Sequence, residues 1–289
     1  MEIITAKTAG FCYGVKRAVE NSIEQVKKNK EQSIYCLGEL VHNKKVIEKL
    51  EKHGIKFINN INEIKDENSK LIIRAHGIEK NIYKIAKNRG IELIDYTCPN
   101  VLKIHTIAED YKKQGYYIFL TGTEGHPEVI GTKSHCGENF SLISLEKDIE
   151  KAIKNFEKTN INKLLLISQT TYSMKKFDEV RKKLEEKISK NVNFVIKNTI
   201  CLATEQNQKE AKEISSKVDM SIVIGGKNSS NTRKLYEIAK EECKNTILIE
   251  SKIELEETKF DNIEKIGIMA GASTSHESIN EIIDFLNVK

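Results

Sequence analysis

Tryptophan is missing altogether from the 289 residues, and only two prolines occur, Pro99 and Pro127. No low-complexity stretch divides the chain, so nothing in it reads as a flexible linker between independent modules. No window holds the ~18 consecutive apolar residues that a membrane helix needs. The opening run Met1-Glu2-Ile3-Ile4-Thr5-Ala6-Lys7 lacks the long apolar region of a secretory signal. A cytoplasmic chain is expected, and there its six cysteines serve metal binding or catalysis rather than disulfides. A concentrated basic block is also missing. The net charge of +5 is spread among interleaved lysines and glutamates, so nucleic-acid binding is not expected, whereas a small anionic substrate is. There is no Gly-x-x-x-x-Gly-Lys-Ser and no strong dinucleotide fingerprint, so neither ATP nor NAD is implied. Nor is there a Cys-x-x-Cys pair, the usual half of a structural zinc site.

What is present is a regular alternation. Short runs rich in Ile, Val, Leu and Tyr stand at 33–38, 71–75, 91–96, 116–121, 142–145, 163–168, 192–196, 220–225, 246–249 and 265–269. Their length and composition predict buried strands. Between them, apolar residues recur with the 3.6-residue period of a helix at 15–28, 44–53, 81–88, 101–114, 175–190, 204–216 and 232–242. Strict strand–helix alternation predicts an α/β fold with parallel-type sheets. Three divisions are expected: 13–97, 98–193, and 194–289 together with 1–12.

The segments that follow the strands gather glycine, histidine and small hydroxyl residues. Ligands of open α/β sheets bind at those carboxyl ends. Three cysteines stand at strand-to-helix junctions about one small domain apart: Cys12 in Gly10-Phe11-Cys12-Tyr13-Gly14, Cys98 in Thr97-Cys98-Pro99, and Cys201 in Thr199-Ile200-Cys201. A helix N-terminus favours the thiolate. A lone cysteine of this kind is usually a small buried hydrophobe. Three at equivalent junctions are expected to hold metal, and three thiolates from distant segments suit an iron–sulfur cluster with one iron left open. Cys36 reads as core and Cys243 as peripheral helix, while Cys136 is the one competitor as a ligand. His42, His76 and His126 each follow a strand end and could donate to a phosphate. Glu128 is the outstanding carboxyl among these loops and is read as a general acid, against the alternative of a helix-end glutamate favoured by the dipole. His53, His105 and His135 read as structural.

The ordered motifs Ala9-Gly10-Phe11-Cys12-Tyr13-Gly14-Val15, Arg74-Ala75-His76-Gly77, Thr97-Cys98-Pro99, Glu124-Gly125-His126-Pro127-Glu128-Val129, Gln169-Thr170-Thr171, Thr199-Ile200-Cys201 and Ser229-Ser230-Asn231 strongly resemble the 4-hydroxy-3-methylbut-2-enyl diphosphate reductases, the last enzymes of the non-mevalonate isoprenoid pathway. The resemblance implies a trefoil of three pseudo-equivalent α/β domains around a central [4Fe–4S] cluster, one per chain, ligated by Cys12, Cys98 and Cys201. It implies that His42, His76, Ser229, Ser230, Asn231 and Ser273 hold the diphosphate. The C4 hydroxyl of the substrate would meet the fourth iron, oriented by Thr170 and Glu128 with His126 beside them. Electrons would come from a reduced ferredoxin or flavodoxin, and the expected state is a monomer. The chain departs from the family's common residues at Tyr96, Asn207 and Ser275-His276, and His276 is read as a possible added phosphate donor. Two further readings stay open on the residues themselves: a non-catalytic iron–sulfur sensor of a phosphorylated ligand, and a zinc hydrolase.

Overall fold

The computed structural model describes residues 1–66 and 68–288. In chain order its strands and α-helices are β1 (Glu2–Thr5), α1 (Tyr13–Lys28), β2 (Ser33–Leu37), α2 (Lys44–Lys52), β3 (Ile55–Ile58), β4 (Ser69–Ile73), α3 (Lys80–Asn88), β5 (Glu92–Asp95), α4 (Pro99–Lys113), β6 (Tyr117–Thr121), α5 (Pro127–Cys136), β7 (Phe140–Ile143), α6 (Asp148–Glu157), β8 (Lys163–Ser168), α7 (Met174–Lys187), β9 (Asn193–Ile196), α8 (Leu202–Ser215), β10 (Met220–Ile224), α9 (Ser230–Glu242), β11 (Thr246–Ile249), β12 (Lys265–Ala270) and α10 (His276–Asn287). The strands form three four-stranded sheets, ordered β1-β12-β10-β11, β3-β2-β4-β5 and β7-β6-β8-β9. The strand pairs described are parallel. Three parallel-sheet α/β units are therefore present, as the alternation predicts.

All ten expected strands form. β7 sits two residues earlier than the apolar run 142–145, because Leu145 turns outward and is exposed, while Phe140 pairs with Ile118. The two strands not foreseen, β1 and β3, are four residues long and lie at sheet edges. Three helices lie outside the expected segments, α5, α6 and α10; of these α5 lacks an apolar stripe, burying Glu128, Thr132 and His135 beside Val129 and Cys136.

By contact the chain divides into two compact units. One comprises Met1–Lys28, Glu39–Ile55 and Leu202–Lys289, the other Asn29–Gly38 and Lys56–Cys201. In the first unit, β1, β10, β11 and β12 have helices on both faces. Met220, Ile222, Ile224, Ile266 and Ile268 pack toward Ile279, Ile282 and Leu286 of α10. Val223 and Met269 point the other way, onto Ala211 and Ile214 of α8 and Leu235 and Ala239 of α9. α2 joins α10 in this unit through the Lys45–Glu281 and Lys49–Glu277 ion pairs.

In the second unit, alternate residues of β6 and β8 feed opposite cores. Tyr117, Phe119, Leu164 and Leu166 pack with Ile149, Ile153 and Phe156 of α6 and Phe177, Val180 and Leu184 of α7. Ile118, Leu120, Leu165 and Ile167 pack with Ile104 and Ala108 of α4 and Val129 and Cys136 of α5. A strand buried on both faces reads as a continuous apolar run, which is why these strands were legible. No helix among the described residues is long and apolar enough to cross a membrane.

Candidate active site

Each of the three junction cysteines stands just before a helix: Cys12 before α1, Cys98 before α4, Cys201 before α8. The same backbone bond fixes all three. The Cys12 N–H donates to Ala272 O at 3.1 Å, the Cys98 N–H to Ala75 O at 2.9 Å, and the Cys201 N–H to Thr170 O at 3.0 Å. Each acceptor lies in the segment after a strand end and is, or adjoins, an expected site residue: Ser273, His76 and Thr170. One amide-to-loop bond thus joins each cysteine to a segment that carries an expected substrate-binding residue. The acceptors are carbonyl oxygens, which a motif of side chains does not reveal.

Burial separates the cysteines into two classes. Cys12, Cys98 and Cys201 are half-buried, whereas Cys36, Cys136 and Cys243 are buried. Burial pushes the thiols of Cys36 and Cys136 up to about 12, which disfavours a ligating thiolate. Cys136 ends α5, packs in the core and donates to Thr132 O, so it does not suit a metal. Cys243 is not peripheral as expected. It caps the end of α9 and is 6% exposed, its sulfur facing the carbonyls of Val218, Asp219 and Asn245.

The second unit holds the expected acid. His126 is the N-cap of α5, with Pro127 at the first helical position. Its Nδ1 accepts the Glu128 N–H at 3.1 Å, which leaves Nε2 as the ring's donor. Its ring meets that of His76 edge-on, with centroids 5.4 Å apart. Glu128 is 2% exposed. One carboxylate oxygen accepts the Thr170 N–H at 2.6 Å and the other accepts the Thr170 hydroxyl at 2.6 Å. Burial raises the Glu128 carboxyl to about 7, against the two Thr170 bonds, which lower it. Gln169, also buried, steadies this loop: its Oε1 accepts the Thr123 N–H and its Nε2 donates to the Thr171 hydroxyl. A carboxyl that carries a proton near neutral pH, held by a threonine hydroxyl, is equipped to deliver that proton.

The first unit holds His42, Ser229, Ser230, Asn231 and Ser273. The Ser273 hydroxyl donates to His42 O at 3.4 Å. A Cβ on Gly226 would lie 2.3 Å from that same His42 carbonyl, so only glycine lets this loop approach. Ser229 caps α9, its Oγ accepting the Thr232 N–H. Asn231 is 4% exposed and its amide nitrogen has no partner among the described residues. An unpartnered buried donor in the first turn of a helix is the expected furniture of an anion site. The His42 ring stands 3.0 Å from Glu39 Oε2. His276, at the start of α10, is exposed and its ring lies against Gly10. The donors group by unit: His76, His126, Glu128, Thr170, Cys98 and Cys201 in the second, the remainder with Cys12 in the first.

Comparison with known proteins gives the chain its family. The LytB protein family model matches residues 3–287. A Clostridioides difficile relative named 4-hydroxy-3-methylbut-2-enyl diphosphate reductase is 42% identical over 99% of both chains. A Campylobacter hominis relative of the same name is 42% identical, also over 99% of both. A solved structure of (E)-4-hydroxy-3-methyl-but-2-enyl diphosphate reductase, described as the terminal enzyme of the non-mevalonate pathway, aligns over 100% of both chains with a TM-score of 0.70 and 35% identity. The Plasmodium falciparum E-1-hydroxy-2-methyl-but-2-enyl-4-diphosphate reductase aligns with a TM-score of 0.89 and 32% identity, over 99% of this chain and 87% of its own. The chain belongs to the LytB protein family, among relatives named 4-hydroxy-3-methylbut-2-enyl diphosphate reductase.

Proposed function

We propose that this protein removes the hydroxyl group of (E)-4-hydroxy-3-methylbut-2-enyl diphosphate reductively, giving isopentenyl and dimethylallyl diphosphate. The substrate takes up two electrons and two protons and loses one water. The observation that carries this reading is the buried Glu128–Thr170 pair, a proton donor that a sensor of a phosphorylated ligand would not need.

The metal group is a [4Fe–4S] cluster, one per chain, with Cys12, Cys98 and Cys201 as its ligands. Their shared half-burial and shared amide bonding support this choice over the buried thiols, and three thiolates suit such a cluster better than a structural zinc ion. When bound, it supplies electrons and a Lewis-acidic iron. The chain's own residues do the rest. His42, His76, Ser229, Ser230, Asn231 and Ser273 donate to the diphosphate. The Thr170 hydroxyl and His126 Nε2 orient the substrate hydroxyl, and Glu128 gives it the proton with which it leaves as water. Reduced ferredoxin or flavodoxin is the electron donor. The protein acts as a cytoplasmic monomer of three divisions, 13–97, 98–193, and 194–289 with 1–12, although β9 (Asn193–Ile196) crosses the second boundary to pair with β8.

The test is an anaerobic assay of the reconstituted protein with a chemically reduced mediator and the hydroxylated diphosphate. Substrate-dependent mediator oxidation with formation of both five-carbon diphosphates is expected. Intact cluster spectra without turnover would favour the sensor. Zinc without acid-labile sulfide would favour the hydrolase.

A further inference from the structure

Behind the site, the second unit buries a set of side chains that the proposed chemistry does not use. His105 of α4 and His135 of α5 stack with ring centroids 4.0 Å apart and planes 14° from parallel. They are 5% and 9% exposed, and the Nε2 of each has no partner among the described residues. His135 Nδ1 lies 2.6 Å from Glu109 Oε1, so it donates to that carboxylate. Glu109 also pairs with Lys80, the first residue of α3. Ser134 of α5 accepts the Lys80 N–H at 3.2 Å and so caps α3 from a neighbouring helix. A Cβ on Gly77 would lie 3.0 Å from His105 Cε1, so the His105 ring supports the turn that presents His76.

Their positions in sequence give this set a purpose. His105 stands seven residues after Cys98, and His135 stands seven after Glu128. Seven residues are nearly two turns, so each pair shares one helix face about 10 Å apart. Two flat rings in contact resist sliding of one helix along the other. A core built only for packing would use aliphatic side chains and leave no nitrogen unpartnered. Histidine supplies a flat face plus an Nδ1–H that anchors the ring to Glu109. Burial lowers the His105 ring to about 4 and also lowers His135, which favours the neutral rings that stack without repulsion.

We propose that the His105–His135 stack sets the axial register of α4 against α5, making both histidines positioning residues for Cys98, His76 and Glu128. This rests on the reductase reading. The experiment compares wild type, His135→Ala and His135→Phe after anaerobic reconstitution, recording iron and sulfide content, kcat and KM for the allylic diphosphate. In His135→Ala the expected result is unchanged iron and sulfide, KM within about twofold, and kcat lower by roughly tenfold or more, because small misplacement of a reacting group is costly. His135→Phe, which keeps a flat ring on His105, is expected to recover most of that kcat. If His135→Ala yields no soluble holoprotein, His135→Gln takes its place under the same criteria. A kcat within about twofold of wild type in the ringless variant, or an equal loss in His135→Phe, overturns the proposal. Absent turnover in the wild type would instead fail the reductase reading itself.

Discussion

Glu128 is the residue on which the proposed chemistry turns, because its environment sets two measurable pH effects with one cause. Burial lifts its carboxyl from an ordinary 4.5 to about 7. Turnover that needs the protonated acid declines as pH rises through about 7, so the kcat profile has a basic limb there. Glu128→Gln keeps an oxygen to accept the Thr170 N–H and removes the acid. We expect intact iron and substrate binding, kcat lower by about 10²–10⁴-fold, and loss of that limb; near-normal turnover would remove the acid role. The linkage runs as a cost. Below 4.5 the carboxyl is protonated in folded and unfolded chains alike. Between 4.5 and about 7 the unfolded chain releases its proton first, and folding weakens as pH rises. The stability of Glu128→Gln relative to wild type should therefore grow across this window and then level off. Melting curves showing a pH-independent difference would mean the carboxyl is not raised. At this scale the sequence was informative wherever a side chain carries the role. The Cys12, Cys98 and Cys201 junctions, the three strand-end histidines and Glu128 were all readable. The carbonyls of Ala75, Thr170 and Ala272 were not, since any residue supplies one.

Strand-to-helix junctions are the working element of this fold, and their shape depends on close backbone approach. Gly226 follows β10 and lies against the His42 carbonyl, where a Cβ would be 2.3 Å away. The opposing atom is main chain and cannot swing aside. Gly226→Ala should push the His42 segment away from Ser273 while leaving Glu128 and Thr170 untouched. The expected signature is a KM raised by roughly tenfold with kcat little changed, the pattern of lost uniform binding. An unchanged KM would show that the loop yields without moving His42. Element by element, the alternation was legible because buried parallel strands are continuous apolar runs. The edge strands β1 and β3 were not, being short and only partly buried, in patterns such as EIIT and IKFI. α5 hid for the opposite reason. It buries polar groups, and those include the acid and one ring of the histidine stack. A helix that buries polar groups gives up the amphipathic pattern by which helices are recognised.

Over the whole molecule, the three sheets each carry a core of their own, and this decides what the proposed cluster would do for the fold. Phe119 is fully buried, edge-on to Tyr117 and Phe156 at 5.7 and 6.2 Å. Truncation to alanine should cost about 3–5 kcal/mol, read as a lower melting temperature of the second unit, a large share of the ~5–15 kcal/mol typical of a domain. A loss below about 1 kcal/mol would mean that the site collapses to fill the space. Small zinc domains fold only when the metal arrives, because they lack such cores. Here the apolar contacts of β10 and β12 with α8, α9 and α10, and of β6 and β8 with α4 to α7, are made by the chain's own side chains. The metal should therefore add stability as a ligand does, by binding the folded chain, rather than by creating the fold. Removing it anaerobically with a chelator and an oxidant should abolish turnover and the visible absorption of the cluster. The far-ultraviolet circular dichroism should stay within a few per cent, and the melting temperature should fall by several degrees. Reconstitution with iron and sulfide should restore both absorption and turnover. Collapse of the helical signal on metal removal would show instead that the junction cysteines hold the fold together, and the independence of the sheets argued from their cores would fail.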